Sequence, residues 1–168
     1  MPTTLFRRAA QADVAAIVAL LGEDPISAAR QAGVQVDPEA YVQAYQAIDA
    51  DPNQLLAVAE EGGEIVGTLQ LTFIPGLSRG GAWRGQIEAV HVSSARRGSG
   101  VGAAFLRWAI ETCRARGCKL VQLTTDKRRV DAHRFYERLG FEGSHLGYKI
   151  KLDCRGRMEK IRTGDCKR

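Results

Sequence analysis

The stretch ARRGSGVGAAF, Ala95 to Phe105, carries two arginines and three alternating glycines into the start of an amphipathic segment. That segment runs from Gly100 to Arg116, with Val101, Ala104, Phe105, Trp108, Ala109, Thr112 and Cys113 on one stripe, the period of a helix with one buried face. Glycine costs a helix about 1 kcal/mol relative to alanine, so Gly100 and Gly102 need a reason. Just upstream, WRGQIEAVHVS (83–93) reads as a strand. A strand, a glycine-bearing turn and a helix start make an anion site, because unbonded N–H groups and the positive end of the helix dipole converge there. Missing side chains at Gly98, Gly100 and Gly102 let a phosphate reach the backbone, and Arg96 or Arg97 adds charge. The bland alternative, a tight turn with one close helix–sheet contact, needs one glycine rather than three.

Outward from this turn the chain alternates short strands and helices. LFRRA (5–9) reads as a first strand, and Gln11 to Leu21 as a helix with Val14, Ile17, Val18 and Leu21 on one face. Asp37-Pro38 opens a second helix, with proline well placed in its first turn. EDPISAARQAGVQ (23–35) is a connection or a short extra helix. LLAVAEE, the turn at Gly62-Gly63 and EIVGTLQLTFI form a hairpin. After the long helix, KLVQLTT (119–125) reads as a buried strand, Val130 to Leu139 as a shorter helix, and FEGSHLGYKIKL (141–152) as a strand that closes the sheet. The expected order is β-α-α-β-β-β-α-β-α-β, a single mixed α/β domain without internal repeats.

Composition excludes several classes. The 168 residues, with 45% apolar and 26% charged side chains, suit one soluble domain. No run approaches the roughly 18 apolar residues of a membrane span, and MPTTLFRRAAQAD lacks a basic segment leading into an apolar one, so the expected location is the cytoplasm. The four cysteines, Cys113, Cys118, Cys154 and Cys166, contain no CxxC and are expected as free thiols. His91, His133 and His145 lack metal-ligand spacing, so no metal site is expected. Of the net +5, the last sixteen residues hold six Lys/Arg against three Asp/Glu, a basic tail (153–168) expected to be loose rather than a nucleic-acid arm. Lys127, Arg128 and Arg129 before the last helix are either a solvated helix start or charge for a phosphate.

Which phosphate ligand the glycines hold follows from context. GSGVGA formally matches the dinucleotide fingerprint, with Asp126 at a suitable distance. That fingerprint follows its strand directly, whereas SSARR intervenes here, and only one strand–helix–strand unit remains downstream. A Walker A loop is excluded, since no Gly-Lys-Ser/Thr occurs.

VHVSSARRGSGVGAAF resembles the acyl-CoA-binding signature of the GCN5-related N-acetyltransferase (GNAT) superfamily, Arg/Gln-x-x-Gly-x-Gly/Ala after a strand. AHRFYERLGF (132–141) is similar to that family's second signature, and the element order matches from residue 5 to about 152. The resemblance implies a single-domain GNAT fold over 1–152, with a mostly antiparallel mixed sheet splayed at a β-bulge and about four flanking helices. It implies that backbone amides of Arg97, Gly98, Ser99, Gly100, Val101, Gly102 and Ala103 hold the pyrophosphate of acetyl-CoA. Val90, His91 and Val92 would pair with the pantetheine arm like an added strand, and Tyr136 would be the general acid at the sulfur. Two positions depart from the family pattern: Arg129 stands where asparagine is frequent, and Ser94 where proline is common.

Glu88 is the candidate base for the acceptor amine, acting through water. Its strand has apolar residues at Ile87 and Ala89, then at Val90 and Val92, so the parity slips by one residue. A β-bulge produces that slip. The expected activity is transfer of an acetyl group from acetyl-CoA to a primary amine of a small molecule, directly and in a ternary complex. Acetylation of protein lysines or N-termini is the alternative, and a non-catalytic acyl-CoA sensor is an alternative of another class. The first two helices and the Pro75–Arg84 loop would form the acceptor site. Exposed edge strands allow a homodimer.

Overall fold

The structure is a computed structural model that describes residues 3–24 and 37–150. Its centre is the predicted hairpin, β2 (Gln54–Glu61) and β3 (Glu64–Ile74). Gly62 and Gly63 turn it with φ of 59° and 87°, the left-handed pair that a two-residue hairpin loop requires. β1 (Leu5–Arg8) pairs antiparallel with β2, and β4 (Arg84–Val92) antiparallel with β3. β5 (Leu120–Leu123) pairs parallel with β4, giving one sheet in the order β1-β2-β3-β4-β5. The sheet is therefore mixed and mostly antiparallel, as expected.

Alternation along the strands divides the molecule into two layers. Ala57, Ala59, Leu69, Leu71 and Ile87 face α3 (Val101–Ala115), which contributes Phe105, Leu106, Ala109 and Cys113, none more than 1% exposed. Phe105 stacks on Phe6 of β1 at 5.0 Å. The helix lies so close to β4 that a Cβ on Gly85 would stand 2.4 Å from the Cys113 sulfur, which accounts for glycine inside a strand. On the other face Leu56, Val58 and Ile65 meet α1 (Val14–Gly22) and α2 (Pro38–Ala50) through Ile17, Leu21 and Tyr45. Asp37 caps α2 by accepting the Glu39 N–H at 3.0 Å, with Pro38 in the first turn. Burying each such large apolar side chain contributes roughly 1.5–3 kcal/mol, so α3 with its deep stripe is the principal brace behind β4.

α4 (Val130–Arg138) completes the four main helices, and a helical turn at Ser78–Gly81 lies between β3 and β4. Two expectations need correction. KLVQLTT yields a four-residue strand, exposed at Leu120 and half-buried elsewhere, because it is an edge strand bonded to β4 alone rather than a buried one. Residues 151 and 152 lie outside the described residues, and the described part of FEGSHLGYKIKL does not close the sheet: residues 141–150 form no strand, and Leu146, Tyr148 and Ile150 are 69%, 89% and 86% exposed. Their apolar alternation resembles a strand, but no sheet edge receives it. Leu106, fully buried, belongs to the α3 core although the predicted stripe omits it. The segment expected as a connection or extra helix (23–35), beyond its first two residues, and the 153–168 tail with Cys154 and Cys166 lie outside the described residues. Among the described residues no helix is long and apolar enough to cross a membrane.

Candidate active site

β4 changes character halfway along. From Arg84 to Ile87 it is paired on both edges, with β3 and with β5. Beyond Ile87 it is paired with β3 only, and the sheet opens between β4 and β5. The predicted bulge sits at this split. Gln70 pairs with Glu88 and Thr68 with His91, so Ala89 and Val90 together oppose Leu69. Ala89 has φ of 51°, a left-handed conformation that costs a non-glycine residue about 1 kcal/mol. The parity slip follows: Ile87, Val90 and Val92 all pack toward the α3 core, while Glu88 and His91 share the opposite face. Ser93 donates to the Val66 carbonyl at 2.9 Å. Alternation then directs the Val92 N–H and C=O toward the open edge and those of His91 toward β3.

The glycine turn stands at the far end of that edge. A 3₁₀ turn at Ser94–Arg96 leads to Gly98 and Gly100, with φ of 78° and 90°. Gly100 ends in the left-handed region immediately before α3 and no side chain caps the helix. The first intrahelical bond runs from Ala104 to the Gly100 carbonyl at 3.0 Å, so the N–H groups of Val101, Gly102 and Ala103 have no acceptor within their own helix. Gly98 and Gly100 are thus required by backbone conformation. Gly102 is not, since an added Cβ would make ordinary contacts of 3.5 Å with Val92 and 3.6 Å with Phe135. Arg96 is held by Glu61 at 2.8 Å and its carbonyl accepts the Ser99 hydroxyl at 2.7 Å. Arg97 is exposed and, among the described residues, makes no ion pair, so of the two arginines it is the one able to meet a ligand anion.

Across the split lies α4. Its Tyr136 ring is half-buried between Phe135 and Phe141, at centroid distances of 5.4 and 6.0 Å. Burial pushes the phenol above its usual range, and the charge of Arg129 pulls it back. A neutral phenol at neutral pH is the form a proton donor needs. The basic run before α4 is largely committed within the protein: Arg128 grips Asp126 with bonds of 2.9 and 2.8 Å, and Arg129 pairs with Asp24 at the end of α1. Sequence reasoning missed both Glu23 and Asp24, because their partners are 71 and 105 residues away.

Glu88 is exposed, and among the described residues its carboxylate makes no hydrogen bond or ion pair, which leaves it available as a base. Beside it runs a half-buried polar row. Gln54, Thr72, Gln86 and Gln122 stand in lateral register across β2 to β5, and Gln70 pairs with Glu88. Gln70 and Thr72 donate to the Gln54 carbonyl oxygen at 3.0 and 2.9 Å, and Gln122 donates to that of Gln86 at 2.7 Å. His91 is buried, its Nε2 3.7 Å from Glu23 and without a hydrogen-bond partner. Burial holds its pKa below the usual imidazole range, against the pull of Glu23. Cys113 is fully buried and its thiol is pushed up to about 12 by burial, so it is not a nucleophile at neutral pH. Among the described residues no cluster of His, Cys, Asp or Glu could hold a metal ion.

Comparison with known proteins agrees with this arrangement. The chain is 32% identical over 152 residues to the aminoalkylphosphonate N-acetyltransferase of Salmonella typhimurium, covering 90% of this chain and 94% of that one. It is 36% identical over 90 residues to the glucosamine 6-phosphate N-acetyltransferase of Trypanosoma brucei brucei, covering 54% and 59% of the two chains. Among solved structures it superposes on a protein described as a transcriptional regulator from Bacillus halodurans with a TM-score of 0.84 and 44% identity, over 89% of this chain and 100% of the other. The model of the acetyltransferase (GNAT) family matches residues 17–141. The split sheet, the glycine turn and these similarities identify one lineage: the chain belongs to the acetyltransferase (GNAT) family.

Proposed function

We propose that the protein transfers the acetyl group of acetyl-CoA to a primary amine of a small molecule, directly and without a covalent enzyme intermediate. The observation that carries this is the half-paired β4 ending at the glycine turn: an open strand edge and a set of uncommitted helix N–H groups, side by side. The residues present fit the cofactor. Val90 and Val92 offer backbone groups to the pantetheine amides, whereas His91, expected to share that role, turns its own toward β3. Arg97, Gly98, Ser99, Gly100, Val101, Gly102 and Ala103 offer backbone donors to the pyrophosphate. The thioester supplies an activated acetyl group. Glu88 takes the surplus proton of the amine through water, and Tyr136 gives its proton to the departing sulfur. Alignment of the two reactants in the split supplies several kcal/mol more. The catalytic domain spans residues 1–152.

A polar acceptor suits the glutamine row beside Glu88, because carboxamides both donate and accept hydrogen bonds. The two curated relatives are named for amines that carry a phosphonate or a phosphate, which supports a small-molecule acceptor over a protein one. A second reading, a module that binds acyl-CoA and transfers nothing, is favoured by the regulator name of the 44% identical structure. Thiol release from acetyl-CoA, measured across aminoalkylphosphonates, amino sugars and their phosphates, polyamines, amino acids and lysine peptides, separates these readings. Turnover with at least one small amine, faster than with any peptide, is the expected result. Calorimetric binding of CoA without turnover on any amine would overturn it in favour of the sensor. Turnover confined to peptides would move the acceptor to protein.

A further inference from the structure

The end of α1 touches both walls of the split. Glu23 accepts the Ser94 N–H at 2.9 Å, just past the end of β4. Asp24, 7% exposed, pairs with Arg129, the residue before the first turn of α4. β4 and β5 part at Ile87 and Leu123, so Ser94 and Arg129 stand on opposite banks of the widening gap. Two consecutive residues of one helix end therefore span it. Both contacts are charge-assisted hydrogen bonds, the directional kind that fixes geometry as well as adding energy. Arg129 is the N-cap of α4, and Tyr136 lies seven residues further on, in the second turn of that helix. Holding Arg129 therefore holds the start of the helix that carries the phenol.

We propose that Glu23 and Asp24 are positioning residues that brace the mouth of the split and, through Arg129, set the place of Tyr136 relative to the open edge of β4. This rests on the proposed acetyl transfer for its kinetic consequence, although not for its effect on CoA binding. In the reaction the amine nitrogen bonds to the carbonyl carbon and the C–S bond breaks with its electron pair on sulfur. The Tyr136 Oη proton passes to that sulfur. The surplus amine proton leaves through Glu88 to water, and the phenolate recovers a proton from solvent. The charge of Arg129, held at the head of α4 by Asp24, acts on the phenol from the same helix and favours the transient phenolate. An asparagine at this position would carry no such charge, which gives the departure from the family pattern a purpose.

Asp24→Asn, Arg129→Gln, Arg129→Lys and the charge-exchanged pair Asp24→Arg with Arg129→Asp test this. The readouts are calorimetric CoA affinity, kcat and KM for acetyl-CoA, the alkaline limb of the pH–rate profile, and Tm. Each single neutral variant is expected to weaken CoA binding and to lower kcat/KM roughly tenfold, the scale of one charged hydrogen bond. The exchanged pair should recover most of the CoA affinity. In Arg129→Gln the alkaline limb should move to higher pH, because the phenol loses its neighbouring cation; a purely structural role would leave it in place. Tyr136 faces the rings of Phe135 and Phe141, which do not titrate, and Arg129 is the charged group that acts on it, itself paired with Asp24. Should the neutral variants fold poorly by Tm, Arg129→Lys, which keeps charge without the planar fork, should show a smaller loss of the same kind. Wild-type CoA affinity in the single variants, or an exchanged pair no better than they are, would overturn the brace. If wild-type protein binds CoA yet acetylates no amine, the functional reading fails while the CoA affinities still judge the brace.

Discussion

The two halves of β4 have the same parents and opposite duties. Arg84 to Ile87 is bonded to strands on both sides, and Ile87 is 1% exposed. Glu88 to Val92 is bonded on one side, bulged at Ala89 and faces a gap. The first half satisfies its backbone inside the sheet. The second keeps part of its backbone unsatisfied, a condition a buried sheet cannot tolerate without a partner. One strained residue divides the closed half from the half proposed to take the cofactor.

Substitutions can break that division or sharpen it. Ile87→Ala, in the closed half, should cost about 2–5 kcal/mol of stability by denaturant unfolding, the range for emptying a buried aliphatic site, with KM for acetyl-CoA nearly unchanged in the folded fraction. A large change in that KM would erase the distinction between the halves. Tyr136→Phe, across the gap from the open half, should lower kcat at least roughly tenfold while CoA affinity barely changes, the general-acid share. An unchanged kcat would remove Tyr136 as the acid.

Gly100→Ala is expected to raise KM for acetyl-CoA several-fold with little effect on kcat. A Cβ at φ of 90° costs about 1 kcal/mol or more and meets empty space rather than a neighbour, so the loss is conformational and local to the cradle. Gly102→Ala, with ordinary φ and ordinary contacts, should behave as wild type in the same assay. Equal effects at the two positions would contradict the distinction between them.

The smallest effect concerns pH. His91 in the open half has its pKa lowered by burial, with Glu23 raising it and Arg97 lowering it further. The unfolded chain takes up a proton near 6.5 while folded His91 resists it, so the unfolded state binds more protons and stability falls as pH drops from about 7 to 5. His91→Gln should flatten that slope. The Glu23 carboxyl is also held below its usual range, chiefly by the Ser94 N–H, but its contribution is lost only as pH falls through the carboxylate range, which keeps the two windows apart.

Much of this was legible in the residues because it depends on local chemistry. The parity slip from Ile87 to Val90 announced the bulge, Gly62-Gly63 announced the hairpin, and Asp37-Pro38 announced a helix start. Of the three glycines, sequence could not tell that Gly98 and Gly100 serve the backbone while Gly102 does not, since φ follows from the path of the chain. The Leu146, Tyr148 and Ile150 alternation misled because a strand needs an edge as well as a pattern. The Glu23 and Asp24 contacts were invisible for a related reason: they join residues far apart in the chain, and nothing in either neighbourhood names the partner.

Residue-resolved amide NMR on titration with CoA tests the division of β4 most directly. Val90, Val92 and the run from Arg97 to Ala103 should shift and gain protection from exchange, while Arg84 to Ile87 stay as they were. Perturbation centred on Arg84–Ile87, with the glycine turn unmoved, would contradict the account.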